Sequence, residues 1–262
     1  MNTLDNYKFD ALNQIAYQAG EAIMKIYEGD KAGFEVEYKD DRSPLTIADR
    51  LSHELIEAGL KKLHPEIPVL SEESDHVAYT IRRSWSKLWL VDPLDGTKQF
   101  VARQGEFTVN IALIEENKPV LGIIYSPTTQ ALYYAAKEKG AYRVLGDGEP
   151  ERLPSKHTPL PGELKVIGSR SHVSAEFEAF VNEQREKYES LELVNIGSSL
   201  KFCLIAEGKA DIYPRFGPTM EWDTAAAQII VQECGRNIYH AETGNELTYN
   251  KENLLNPGFI CR

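Results

Sequence analysis

The sequence predicts an α/β protein in two parts, an α+β first half and a layered α/β second half. Three patterns carry this expectation. Apolar residues at three- and four-residue spacings mark two N-terminal helices. Paired apolar runs separated by short turns then mark antiparallel strands as far as residue 144. Beyond a Gly-, Pro- and charge-rich stretch at 145–162, strands and helices alternate, as in layered structures. The expected division is an α+β half at 1–152 and an α/β half at 153–262, the two forming one compact unit.

The elements follow in order. Leu12, Ile15, Ala16, Ala19, Ala22, Ile23 and Ile26 form one face of a helix over residues 4–27, stopped by Gly29. Residues 34–38 alternate and read as a short strand, followed by the polar loop Lys39-Asp40-Asp41-Arg42-Ser43-Pro44. Thr46 with Asp49 three residues on has the form of an N-terminal capping pair. It opens a second helix whose inner face is marked by Leu51, Leu55 and Leu63 and which ends at His64-Pro65. Residues 68–71 form a strand, and 75–86 a polar loop with a helical turn. A strand at 88–91 is expected to break at Asp92-Pro93, because proline has no N–H for a ladder and biases its predecessor toward extended geometry. Residues 107–114 and 120–125 flank Glu116-Asn117-Lys118-Pro119 as a hairpin, and 132–135 and 141–144 form another turned at Lys139-Gly140. In the second half, strands at 165–167, 191–194, 211–213 and 237–239 alternate with helices at 174–188, 198–207 and 224–233.

Composition bounds the function. The chain has 262 residues, enough for a substantial core, with 42% apolar and 26% charged residues. A net charge of −11 argues against unaided binding of nucleic acid or anionic lipid. An anionic small-molecule substrate would need metal ions or a local basic patch. Three cysteines, Cys203, Cys234 and Cys261, are too few and of the wrong parity for a disulfide framework; they fit a reducing cytoplasm as small buried hydrophobes. The polar residues 1–10 hold no apolar signal core, and no run is long enough to span a bilayer, which leaves room for a peripheral contact at the cytoplasmic face.

The chemistry centres on Trp89-Leu-Val-Asp-Pro-Leu-Asp-Gly-Thr-Lys-Gln-Phe100. Asp92 and Asp95 crowd a strand end, Gly96 permits a tight turn, and Thr97 adds a hydroxyl. Alone, these residues also describe a solvated turn. Two further acidic clusters, Ser71-Glu72-Glu73-Ser74 and Glu221-Trp222-Asp223, favour a metal site. Crowded carboxylates repel unless a cation sits between them, and hard oxygen ligands favour Mg²⁺, Mn²⁺ or Ca²⁺ over zinc. Two such ions about 3.5–4 Å apart can activate a water and stabilise both oxygens of a phosphoryl displacement. Asp92 is placed to bridge, and the Leu94 carbonyl is available in the same turn. Asp223 opens a helix whose free amides suit a phosphate oxygen. Asp49 and Thr97 are candidates to orient the water, with helix capping the competing role for Asp49. The three-residue spacing of Asp92 and Asp95 excludes the Asp-x-Asp arrangement of phosphoaspartate enzymes, and the stretch lacks the alternate-position ligands and terminal Glu of an EF-hand loop.

Taken together, Ser-Glu-Glu-Ser at 71–74, Trp-Leu-Val-Asp-Pro-Leu-Asp-Gly-Thr at 89–97 and Trp-Asp-Thr-Ala-Ala-Ala at 222–227 resemble the inositol monophosphatase superfamily of lithium-sensitive, Mg²⁺-dependent phosphatases. Ser43-Pro44-Leu45-Thr46-Ile47-Ala48-Asp49, Gly-Glu-Phe-Thr-Val-Asn-Ile-Ala-Leu-Ile at 105–114, Gly-Ser-Ser-Leu-Lys-Phe-Cys-Leu-Ile-Ala-Glu-Gly at 197–208 and Tyr-Pro-Arg-Phe-Gly-Pro-Thr at 213–219 are similar to its bacterial 3'(2'),5'-bisphosphate nucleotidases, which act in sulfate assimilation. The resemblance implies a five-layer αβαβα sugar-phosphatase-like fold. It implies hydrolysis of 3'-phosphoadenosine 5'-phosphate to AMP and phosphate, with two or three metal ions per site in a monomer or homodimer. Glu72, Asp92, the Leu94 carbonyl, Asp95 and Asp223 would be metal ligands. Asp49 and Thr97 would prepare the water, with Glu72 counted among the catalytic residues, and Gly96, Thr97 and Asp223 would contact substrate. A bisphosphate also needs a cation for its second phosphate, and Lys201 and Arg215 are the candidates, flanked by Ser198 and Ser199. The competing readings are an exposed helix lysine, a surface ion pair for Arg215 and helix caps for the serines. The rival functions are an inositol or sugar monophosphatase and a non-catalytic metal- or nucleotide-binding protein.

Overall fold

In the computed structural model, residues 8–29, 36–38, 44–75, 77–154, 161–168 and 174–262 are described. The first helix, α1 (Phe9–Glu28), buries Leu12, Ile15, Ala16, Ala19 and Ile23, most of the face its spacing predicts. The predicted residues 4–7 and 34–35 and the loop at 39–43 lie outside the described residues. Strands β1 (Val36–Tyr38) and β2 (Pro44–Thr46) pair antiparallel and lead into α2 (Ile47–Leu63).

The inner face of α2 departs from the prediction in part: Leu63 packs against the apolar core as expected, but Leu55 does not. Leu55 is 40% exposed, whereas Ala48, Ser52, Ile56 and Leu60 are buried. The leucine periodicity misleads because the face turned inward near the site is partly polar: Ser52 Oγ donates to the Pro93 carbonyl at 2.7 Å.

A seven-stranded mixed sheet follows, in sequential order β3 (Val69–Ser71), β4 (Lys87–Asp95), β5 (Thr108–Glu115), β6 (Lys118–Ser126), β7 (Ala131–Ala136), β8 (Gly140–Leu145) and β9 (Glu151–Arg152). Only β3 and β4 run parallel, and the short helices α3 (Tyr79–Arg82) and α4 (Thr97–Val101) flank β4. Contrary to expectation, β4 does not end at Asp92-Pro93. It continues to Asp95 through a register shift between Asp92 and Asp95, which accommodates the proline without a ladder bond. The first hairpin turns at Glu116 and Asn117, with φ of 46° and 64°, the left-handed pair a tight two-residue turn requires.

Alternation along β4 separates two cores. Trp89 and Val91 face α1 and α2, with Leu12, Ile23, Ile56 and Ile111. Leu88 and Leu90 face α6 (Leu200–Ala206) and α7 (Glu221–Glu233), with Phe202, Ala225 and Ile229. Burial on both faces explains why β4 to β7 read as continuous apolar runs. At Gly122 on β6 an added Cβ would lie 2.4 Å from the Ala226 carbonyl, so α7 rests directly on the sheet.

On the far side of α6 and α7 lie a parallel pair, β10 (Glu163–Gly168) and β11 (Ser190–Asn195), and a three-stranded sheet of order β12 (Tyr213–Arg215), β14 (Phe259–Cys261), β13 (Ile238–His240). The helix α5 (Ala175–Arg185) covers Leu164, Val166 and Ile212 from outside. The layers therefore run α, β, α, β, α. The predicted strand at 211–213 begins two residues later, while Ile212 bridges Val166. β14 went unpredicted because its three residues give no period. The three cysteines are free and buried, and among the described residues no helix is long and apolar enough to cross a membrane.

Candidate active site

Parallel pairing of β3 with β4 sets the acidic clusters side by side. Glu72, just past β3, donates its backbone N–H to the Val91 carbonyl at 3.1 Å, next to Asp92. Asp92 is buried, and its Oδ1 accepts the Leu94 N–H at 3.0 Å, which shapes the turn. Asp223 arrives from the first turn of α7, where its Oδ2 accepts the Met220 N–H at 2.9 Å. One carboxylate oxygen from each of Glu72, Asp92 and Asp223 lies within 4.8 Å of the others; the fourth predicted carboxylate, Asp95, is not part of this group but lies near enough for its charge to raise the proton affinity of Asp92 and Asp223. Burial, followed by the neighbouring carboxylates, pushes Asp92 and Asp223 well above the usual carboxylate range.

Asp49 caps α2 with one oxygen and meets Thr97 with the other. Its Oδ2 accepts the Thr46 N–H at 2.8 Å and the Thr46 hydroxyl at 2.6 Å, closing the capping box of α2. Its Oδ1 lies 3.1 Å from Thr97 Oγ1, whose other acceptor is the Leu94 carbonyl at 3.3 Å. Burial raises the Asp49 pKa, opposed by the Thr46 and Thr97 hydrogen bonds. Gly96 has φ +95°, and a Cβ there would meet the Glu106 carbonyl at 2.7 Å, so only glycine fits.

A cavity of about 200 Å³ opens beside this cluster. Asp95, Gly96, Ser198, Ser199, Lys201, Arg215 and Asp223 are among the residues that line it. Lys201 is not an exposed helix residue: it is buried, its Nζ donates to the Ser198 carbonyl at 3.2 Å and lies 5.8 Å from the Tyr213 ring centroid. Burial drives its pKa down to about 8. Arg215 Nη2 donates to the Pro218 carbonyl at 3.3 Å, and its charge acts on the nearby Asp223 carboxylate, partly offsetting the burial of that group. Ser198 is held at φ +50°, and its hydroxyl accepts the Leu200 N–H at 3.4 Å, a weak capping contact. Ser199 makes no capping bond; its hydroxyl lies 2.8 Å from Asp95 Oδ2.

Three contributors escaped the sequence reading. Lys98 adds a cation to the cavity wall, Glu106 holds the loop before Ser198 by accepting the Gly197 N–H at 2.7 Å, and Asn110 contacts Ser199. Only Asn110 left a signal, as a polar residue inside the apolar run of β5.

Residues 5–258 match the model of the inositol monophosphatase family. The chain belongs to this family. It is 47% identical over 247 residues to the 3'(2'),5'-bisphosphate nucleotidase CysQ of Salmonella typhimurium, covering 94% of this chain and 96% of the relative. Identity to the CysQ of Escherichia coli K12 is 45%, with 95% and 97% covered. The crystal structure of CysQ from Bacteroides thetaiotaomicron superimposes with a TM-score of 0.86 at 46% identity, over 96% of this chain and 95% of that one. The family is metal-dependent, and the donor set here fits a hard divalent cation: converging oxygens, no nitrogen or sulfur, and a surplus of buried negative charge.

Proposed function

We propose that the chain is a 3'(2'),5'-bisphosphate nucleotidase that hydrolyses 3'-phosphoadenosine 5'-phosphate with water to AMP and inorganic phosphate. Mg²⁺, or Mn²⁺ in its place, would be held by Glu72, Asp92, the Leu94 carbonyl, Asp95 and Asp223. Bound there, the metal supplies neutralisation of phosphate charge and a lowered pKa for the attacking water. Asp49 and Thr97 prepare that water: Thr97 donates to Asp49 and offers its lone pairs to the incoming O–H, and Asp49, with its raised proton affinity, is the acceptor within the same hydrogen-bonded pair. Gly96 and Thr97 face the scissile 3'-phosphate from the turn.

The observation that carries the choice of substrate is the pair Lys201 and Arg215 in the wall of the cavity that Asp95 and Asp223 also line. A monophosphate of inositol brings these cations no second phosphate, whereas the 5'-phosphate of a bisphosphate nucleotide can engage both. Ser198 sits beside them, as the same subsite requires. The test is a phosphate-release panel in Mg²⁺. Turnover of the bisphosphate nucleotide at a kcat/KM at least tenfold above inositol 1-phosphate is expected. Faster release from inositol 1-phosphate would overturn the substrate, and tight binding without release would make the chain a binding protein.

A further inference from the structure

Asn110 has no part in the chemistry described above, yet it is 1% exposed and stands opposite Asp92 in the β4–β5 register. A buried amide in an apolar strand costs free energy unless its groups are paired, and among the described residues only the Nδ2 of Asn110 is paired while its Oδ1 has no partner. Its Nδ2 lies 2.9 Å from Ser199 Oγ, which in turn lies 2.8 Å from Asp95 Oδ2 and 3.1 Å from the Asp223 carbonyl. Chemistry fixes the direction of this chain. The carboxylate and the carbonyl only accept, so Ser199 must spend its single proton on that side, and its lone pair takes the Asn110 N–H. The Asn110 donor therefore keeps the hydroxyl proton aimed at the acidic side of the site. Asp95 Oδ2 is held by Ser199, and Oδ1 carries no hydrogen bond among the described residues.

We infer that Asn110 is a positioning residue for the cation site: acting through Ser199, it fixes the Asp95 carboxylate so that its other oxygen faces a divalent cation. This rests on the metal reading above. Partners one shell beyond a metal ligand commonly contribute about 10–100-fold in affinity, and Asn110 stands one link further out, so about tenfold is expected.

The test is Mn²⁺ binding to the full chain, read from the paramagnetic resonance signal of the free ion. Asn110→Leu keeps the volume and removes the donor; Ser199→Ala breaks the same link from its other end with less change in packing, and decides the matter if the leucine variant fails to fold. Each should weaken Mn²⁺ about tenfold, with little further loss in the double variant and no effect of Asn110→Leu in an Asp95→Asn background. The metal-free melting temperature of Ser199→Ala should stay within a few degrees of the parent. An unchanged Kd in Ser199→Ala, or an undiminished Asn110→Leu effect without the Asp95 carboxylate, overturns this inference alone. Absence of Mn²⁺ binding by the parent overturns the metal reading and this inference with it.

Discussion

Replacing Lys201 with alanine separates recognition of the second phosphate from catalysis. Burial lowers the Lys201 pKa from 10.5 to about 8, partly opposed by Asp95 and Glu106. That drop corresponds to a penalty of about 3 kcal/mol on the charged form. To the Ser198 carbonyl that Lys201 already meets, an arriving 5'-phosphate adds a directly bonded anion. Hydrogen bonds to charged groups contribute about 1.5–3 kcal/mol net, so Lys201→Ala should raise KM for the bisphosphate roughly 10- to 150-fold while kcat stays near the parent. A nucleoside 3'-monophosphate should lose less than about threefold. The sign of the pH effect follows from the same value. Lys201 is charged below about pH 8 and neutral above it. The parent's preference for bisphosphate over 3'-monophosphate is therefore full near pH 7 and declines as pH rises through 8, and the alanine variant lacks this decline. Phosphate-release kinetics on the two substrates side by side, across pH 6.5–9.5, measure both. Equal losses on the two substrates, or a preference that ignores pH, would refute the assignment.

Asp95→Asn should reduce turnover about a hundredfold or more, because a neutral amide is a poor ligand for a hard cation; near-normal rates would remove Asp95 from the site. Asp49→Asn should depress turnover far more than Mg²⁺ affinity, measured by metal titration of initial rates, and the opposite pattern would make Asp49 a ligand. Saturating Mg²⁺ at about 100 times its Kd should stabilise the fold by about 2.7 kcal/mol; coincident melting curves with metal and with chelator would contradict a metal site. Gly122→Ala should destabilise by about 1–3 kcal/mol in denaturant unfolding, because the new Cβ meets the Ala226 backbone of α7; unchanged stability would mean that α7 sits further from β6.

The sequence reveals this site better than it reveals the elements holding it. Acidic residues at strand and helix ends stand out because nothing in an apolar context needs them, and Glu72, Asp92 and Asp223 indeed meet. Lys201 and Arg215 were ambiguous, since burial, which separates a pocket cation from a surface one, belongs to the fold. The inner face of α2 and the continuation of β4 past Pro93 were misread for one reason. Local rules assume a helix that buries its leucines and a strand that proline ends, and both rules give way where polar groups are turned inward to serve a site. The Ser52 bond to the Pro93 carbonyl joins the two exceptions. β14 is legible only through its partners, because it completes a sheet whose other strands lie some 20 and 45 residues earlier.

Asp49 and Asp223 share one device. Each is the third residue of a helix and accepts the backbone N–H of the residue before that helix through Oδ2, at 2.8 and 2.9 Å. A carboxylate has two oxygens and about four lone pairs, so capping leaves the second oxygen free for chemistry. Capping also supplies what a buried anion lacks, a fixed donor and the positive end of a helix dipole. The capping role at Asp49 therefore does not compete with the proposed catalytic one, and this sets the outcome of the Asn substitution. An asparagine can still accept the Thr46 N–H through its carbonyl, so the cap survives and stability should fall by less than about 1 kcal/mol. Its amide then faces Thr97 as a donor, forcing the threonine hydroxyl to accept and leaving no group there to take a proton from water. A variant as stable as the parent that still binds metal but does not turn over is the signature of that reversed hydrogen bond.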